Sequence, residues 1–181
     1  MILIYLHGFR SDNKSSKVDE LKQMFPDWKV KSPKYQPHNP KAAEKSLTEF
    51  FNSAEMNDEI IVIGTSLGGF WARWCAAQFG CKALLINPSI EPWKIPPGQY
   101  SNYKDGSTFE VTEEMLSSFK DFENNDGQFV VVLAKDDELL PAAHTKKYFL
   151  SKGINQIIEF ETGGHRFSGI ERVKKLLKDM S

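Results

Sequence analysis

One pentapeptide constrains this chain more than anything else in it. Gly64-Thr65-Ser66-Leu67-Gly68 follows Glu59-Ile60-Ile61-Val62-Ile63 and leads into a stretch bearing Phe70, Trp71, Trp74, Ala77 and Phe79. The unbroken β-branched run reads as a strand buried on both faces, and the aromatic stretch as a helix apolar nearly all round. A serine presented at so sharp a strand-to-helix turn needs neighbours without side chains, because strand and helix converge on either side of it. Gly64 and Gly68 supply them. G-x-S-x-G in that setting is the nucleophile elbow. The plainer alternative is a glycine-rich turn that only packs, or that cradles a phosphate. Glycines at 64, 68 and 69 do not make the G-x-G-x-x-G of a dinucleotide site, so the elbow is favoured.

The rest of the chain repeats the same strand-then-helix rhythm. Ile2–Leu6, Trp28–Ser32, Ala83–Asn87, Phe129–Ala134 and Gln156–Phe160 read as further strands, the second more polar and nearer a sheet edge. Ser16 with Asp19 resembles a capping box ahead of Val18, Leu21 and Phe25. Asn39-Pro40 reads as an N-cap and first helical position, with Ala43, Leu47, Phe50, Phe51 and Ala54 on one face. Further helices are expected at about 112–122, 141–151 and 167–180. Buried strands joined by crossovers long enough for helices predict an α/β fold: a minimal, mostly parallel six-stranded sheet with helices on both faces. The 181 residues suit one domain spanning 1–181. Only the Pro-, Gly- and aromatic-rich stretch at about 90–128 breaks the rhythm, and it reads as a cap or lid insertion.

A serine hydroxyl is a poor nucleophile until a base takes its proton. Of the four histidines, His165 in Thr162-Gly163-Gly164-His165 lies just past the sixth strand, in a loop free to aim an imidazole. Asp137 follows the fifth strand and is the candidate acid, with Asp136 as the alternative. The order Ser66, Asp137, His165 is that of the hydrolase fold and differs from the two common protease orders. All three stand beyond the carboxyl ends of strands, where open α/β sheets bind ligands. The oxyanion hole requires two backbone N–H groups. Leu67, at the helix N-terminus, and Phe9, after the His7-Gly8 exit from the first strand, are the candidates. His7 is assigned a structural role, or is simply part of a strand-ending turn. His38 and His144 read as ordinary loop and helix-surface residues.

Composition excludes rather than assigns. With 23 basic and 24 acidic residues, the formal net charge is −1, which argues against nucleic acid and against docking on anionic membrane. No apolar run approaches the roughly 20 residues of a membrane span, and no cationic patch precedes the first strand as in a signal peptide. Cys75 and Cys81 sit in apolar settings away from histidine, so buried free thiols in the cytoplasm are expected. No metal-ligand spacing appears, and neither metal nor cofactor is expected. Nothing in the totals speaks to oligomeric state.

Taken together, His7-Gly8-Phe9 after the first strand, Gly64 to Gly69 at the elbow, Asn87-Pro88 after the fourth strand, the D-E-x-L of Asp137 to Leu140 and Gly163-Gly164-His165 at the last loop resemble the YqiA/YcfP-like esterases of bacteria. These are small α/β-hydrolases. The resemblance runs along the whole chain and thins between Gly98 and Phe129. It implies an α/β-hydrolase fold with Ser66, Asp137 and His165 as triad, supported by His7, Gly8, Gly64, Gly68 and Asn87. The implied substrate is a small-molecule ester or thioester, and the short insertion suits small or slender acyl groups. The other reading is a hydrolase-fold binding protein with a vestigial triad, whose Trp93, Tyr100, Tyr103 and Phe109 form a partner surface.

Overall fold

Unbroken apolar runs become strands buried on both sides, and alternate residues of each run enter two separate cores. A computed structural model of the chain describes residues 1–53 and 59–181. Six parallel strands form one sheet: β1 (Ile2–Leu6), β2 (Lys29–Lys31), β3 (Ile60–Thr65), β4 (Lys82–Ile86), β7 (Gln128–Ala134) and β8 (Ile157–Phe160). Their order is β2-β1-β3-β4-β7-β8, so the short, polar β2 is an edge strand, as its sequence predicts. The helices are α1 (Ser16–Met24), α2 (Pro40–Phe51), α3 (Leu67–Phe79), α4 (Glu113–Ser118), α5 (Ala142–Ser151) and α6 (Lys174–Asp179).

Ile2, Ile4, Leu6, Val62, Leu85, Val131 and Leu133 point to one face, against Ala43 and Leu47 of α2, Phe70 and Trp71 of α3 and Phe149 of α5. Leu3, Tyr5, Ile61, Ile63, Leu84, Ile86 and Val132 point to the other, against Val18 and Leu21 of α1 and Leu177 of α6. Each fully buried Leu or Ile contributes roughly 1.5–3 kcal/mol, so the two layers hold the sheet with no covalent staple. Cys75 and Cys81 are buried and unpaired. Burial pushes the Cys81 thiol up to about 12 and raises Cys75 well above the ordinary thiol range, which leaves both as packing groups.

Three local expectations need correction. Helix α1 begins at Ser16 itself, so the cap is Ser15, whose side chain makes no capping bond, and the Ser16–Asp19 box is absent. By contrast Asn39 does cap α2, accepting from the Ala42 amide at 3.2 Å. The last helix is not continuous from Phe167: Phe167 and Gly169 have φ of +50° and +79°, a 3-10 turn follows at Ile170–Val173, and α6 starts only at Lys174. The irregular stretch hides an antiparallel hairpin, β5 (Gly98–Ser101) with β6 (Thr108–Val111), ahead of α4. Ala54, expected on the α2 face, lies outside the described residues. Among the described residues no helix is long and apolar enough to cross a membrane.

Candidate active site

The elbow forms because nothing larger than glycine fits around it. Ser66 sits between β3 and α3 at φ +57°, ψ −123°, a backbone conformation that costs an L residue of order 1–3 kcal/mol. A Cβ on Gly64 would stand 2.1 Å from the Gly68 carbonyl oxygen, and one on Gly68 would stand 2.1 Å from that of Leu6. A Cβ on Gly69 would meet Pro88 at 2.7 Å. The turn is fixed by hydrogen bonds on both sides. The Ser66 amide donates to the Ile86 carbonyl at 3.0 Å, and the Ser66 carbonyl accepts from the amides of Gly69 (2.9 Å) and Ser89 (3.0 Å). Ser66 is half-buried, within reach of solvent.

The loops after β7 and β8 bring Asp137 and His165 to that serine. His165 Nε2 lies 3.0 Å from Ser66 Oγ, and His165 Nδ1 lies 3.0 Å from each oxygen of Asp137. A carboxylate only accepts, so the Nδ1 proton faces Asp137 and the Nε2 lone pair faces the serine hydroxyl. The Asp137 side chain is almost fully enclosed, at 1% exposure, against 14% for His165. Its Oδ1 also accepts from the amides of Leu139 and Leu140 at 2.9 and 2.8 Å, which keeps a buried charge solvated by protein. Asp136 points elsewhere. Its carboxylate accepts from the Gly164 amide at 2.8 Å, and that bond holds its pKa below the usual carboxylate range.

Asn87, expected as a supporting residue, and Glu138 hold the histidine loop. Asn87, at φ +42°, accepts from the Ala134 amide (2.8 Å) and donates to the carbonyls of Gly164 (2.9 Å) and His165 (3.2 Å). It ties the ends of β4 and β7 to the loop after β8. Glu138, the second residue of the D-E-x-L motif and given no role by the sequence, accepts from the His165 amide at 2.9 Å.

The loop after β1 lies against the elbow. A Cβ on Gly8 would stand 3.0 Å from the Thr65 carbonyl oxygen and 3.7 Å from Ser66 Oγ, so Phe9 follows a residue already in contact with the serine. Leu67 opens α3, and its N–H is among those that a helix leaves without an intrahelical acceptor. His7 is buried, and burial lowers its pKa to about 4, so it is neutral. Its Nδ1 lies 3.1 Å from the Gly8 carbonyl, and the Tyr35 hydroxyl donates to the His7 carbonyl at 2.6 Å. His38 is not an ordinary loop residue: it is buried, stacks on Phe109 of β6 at 4.0 Å, and burial lowers its pKa to about 4. His144 is on the surface of α5, as expected, 2.9 Å from Glu91. The hairpin closes over this loop through Phe9, whose ring meets Tyr100 at 4.8 Å and Phe109 at 5.7 Å.

The chain is similar to solved and curated proteins in two different senses. The methylesterase MES16 from Arabidopsis superposes with a TM-score of 0.74 at 12% identity, over 99% of this chain and 98% of that one. At that identity the likeness is one of fold; mouse alpha/beta hydrolase domain-containing protein 10 also superposes, with a TM-score of 0.73 at 13% identity over 99% of this chain and 90% of that one, and the fold is that of the α/β-hydrolases. Sequence similarity is closer to a UPF0227 protein of Shewanella woodyi, 29% identical over 76% of each chain. The UPF0227 protein YcfP of Escherichia coli is 24% identical over 93% of this chain and 92% of its own length. That is the group its motifs resemble. Residues 2–181 match UPF0227, described as an uncharacterised protein family, and the chain belongs to it.

Proposed function

We propose that the protein is a serine hydrolase that cleaves carboxylic esters or thioesters of small or slender acyl groups. The observation that carries this reading is the single file of 3.0 Å contacts from Asp137 through His165 to Ser66 Oγ. Ser66 Oγ attacks the carbonyl carbon while His165 Nε2 takes the hydroxyl proton. Asp137 holds the Nδ1–H and offsets the imidazolium charge that develops. The oxyanion is met by the N–H groups of Phe9 and Leu67, whose placement costs no reorganisation during the reaction. Collapse breaks the bond to the leaving oxygen or sulfur, which receives the proton from His165. Water then attacks the acyl-enzyme, with His165 as base, and releases the acid and Ser66.

The remaining assignments follow the same reading. The chain acts as one domain, and the segment at about 90–128 is its lid. The hairpin shapes the acyl site through Tyr100 and Phe109 rather than enclosing a large substrate. The buried free thiols suit a reducing cytoplasm. The methylesterase name of MES16 is consistent with ester chemistry on this fold. A panel of 4-nitrophenyl esters from two to eight carbons, run beside the matching thioesters, tests the assignment. Turnover should peak at short acyl chains and fall at least about 10³-fold in Ser66→Ala. Turnover that survives Ser66→Ala unchanged, or its absence across the panel, would remove the assignment and leave a binding protein.

A further inference from the structure

Two arginines flank the residues assigned to the oxyanion and to proton transfer. Arg10 follows Phe9, and Arg166 follows His165. Consecutive Cα atoms are about 3.8 Å apart, so both backbones stand beside the reacting centre. Their guanidinium groups converge on one ring at the tip of the hairpin. Arg10 Cζ lies 4.1 Å from the centre of the Tyr103 ring, and Arg166 Cζ lies 5.4 Å from it. The Tyr103 amide donates to the Arg10 carbonyl at 2.9 Å, and Tyr103 is 62% exposed, so this cluster opens to solvent beside the loops that carry Phe9 and His165.

These two charges are not balanced locally. Among the described residues, neither arginine has a carboxylate within 4.0 Å. Asp12, two residues after Arg10, accepts from the Lys14 amide, and the acids that reach the histidine loop, Asp136 and Glu138, accept from the amides of Gly164 and His165. Arg10 is partly committed, donating from Nε to the Ser101 carbonyl at 2.9 Å and from Nη2 to its hydroxyl at 3.3 Å. Arg166 is exposed, and its one protein partner among the described residues is the Tyr103 ring. Two guanidinium groups against one aromatic ring put like charge in one place, and an anion bound beside them would offset it. Planar guanidinium forks match a carboxylate or phosphate in both charge and geometry.

Resting on the esterase reading above, we infer that the substrate carries an anionic group of the carboxylate or phosphate kind, held by Arg10 and Arg166 at the mouth of the site. The formal net charge of −1 gives no wider field for a polyanion, so the feature recognised is one local charge. Arg166 is thereby a specificity-determining residue, and Tyr103 the platform that positions it.

Two matched pairs of esters test this. Phenyl butyrate against 4-carboxyphenyl butyrate puts the charge on the leaving group, and phenyl pentanoate against phenyl hydrogen glutarate puts it on the acyl side. In at least one pair the charged ester should have a kcat/KM about tenfold above its neutral partner, the scale of one exposed charge-assisted contact. Arg166→Gln should collapse that ratio about tenfold, Arg166→Lys should restore part of it, and added salt should erode it. A ratio of one or less in both pairs, or a ratio that Arg166→Gln leaves in place, overturns the inference while the esterase reading stands. Calorimetry on Ser66→Ala protein gives a readout independent of turnover. Glutarate or 4-hydroxybenzoate should bind about tenfold more weakly when Arg166 is also Gln, and equal binding in the two proteins overturns the inference even if no ester is cleaved.

Discussion

Two adjacent carboxylates at the end of β7 have the same chemistry and different partners, and the proposed mechanism gives them different roles on that ground. Asp137 is enclosed and faces the imidazole; Asp136 is exposed and holds the backbone one residue before the histidine. Asp137→Asn can no longer hold the Nδ1–H tautomer, and kcat should fall by about 10³–10⁴-fold. Asp136→Asn keeps an oxygen able to accept from the Gly164 amide, and its loss should stay below about tenfold. Steady-state kinetics of both variants on one short ester checks this, and equal activities would refute it. At this scale the sequence was partly legible. Ser66 and His165 are marked by the glycines beside them, and Asp137 by its distance past a strand. Which of Asp136 and Asp137 turns inward depends on the path of a loop, which no local pattern encodes. That Glu138 turns to the His165 amide depends on the same loop path. The placement of Asn87 rested on a resemblance, and its physical reason is the three hydrogen bonds by which it joins strand ends to loop.

At the scale of elements, the elbow is where sequence and geometry constrain each other most. Gly64→Ala would press a methyl group against backbone at 2.1 Å, and backbone of a buried strand and helix cannot yield cheaply. A loss of at least about 3 kcal/mol is expected, the upper end for overpacking. Gly80→Ala meets nothing within 4 Å, and carries only the strain of a left-handed cap at φ +66°, about 1 kcal/mol. Denaturant titration of both variants measures the contrast, and similar midpoints would contradict it. The parallel strands were legible because burial on both faces leaves uninterrupted apolar runs. The hairpin was not. Thr108-Phe109-Glu110-Val111 does alternate in exposure, but four residues in a Pro- and Gly-rich stretch are too few for a period of two to stand out. The helix expected over 167–180 runs too far because Phe167, Ile170, Val173 and Leu177 keep helical spacing across the break that positive φ makes at Phe167 and Gly169.

For the molecule as a whole, the two buried histidines tie stability to pH. Burial lowers both His7 and His38 from an ordinary 6.5 to about 4. Between those values the unfolded chain binds more protons than the folded one, so stability rises with pH across that window and falls as acid is added. Each group contributes up to about 1 kcal/mol per pH unit there. His38→Phe retains a ring to stack on Phe109 and removes one titration, so the slope of unfolding free energy between pH 4 and 6.5 should fall by about that amount. An unchanged slope would show that His38 does not titrate with folding. In the proposed mechanism the same layout concentrates the chemistry at one end of the sheet. The loops at the strand ends place Ser66, Asp137 and His165 together, and the hairpin roofs the first loop through aromatic contacts with Phe9.

The account depends most on Ser66 being an activated nucleophile rather than a serine in a tight turn. Exposure of the native protein to a fluorophosphonate, followed by intact-mass and peptide analysis, addresses this directly. A single adduct on Ser66 is expected, with the labelling rate falling at least about 10²-fold in His165→Ala, since the base supplies the activation. Folded protein with no adduct, or with an adduct on another residue, would contradict it.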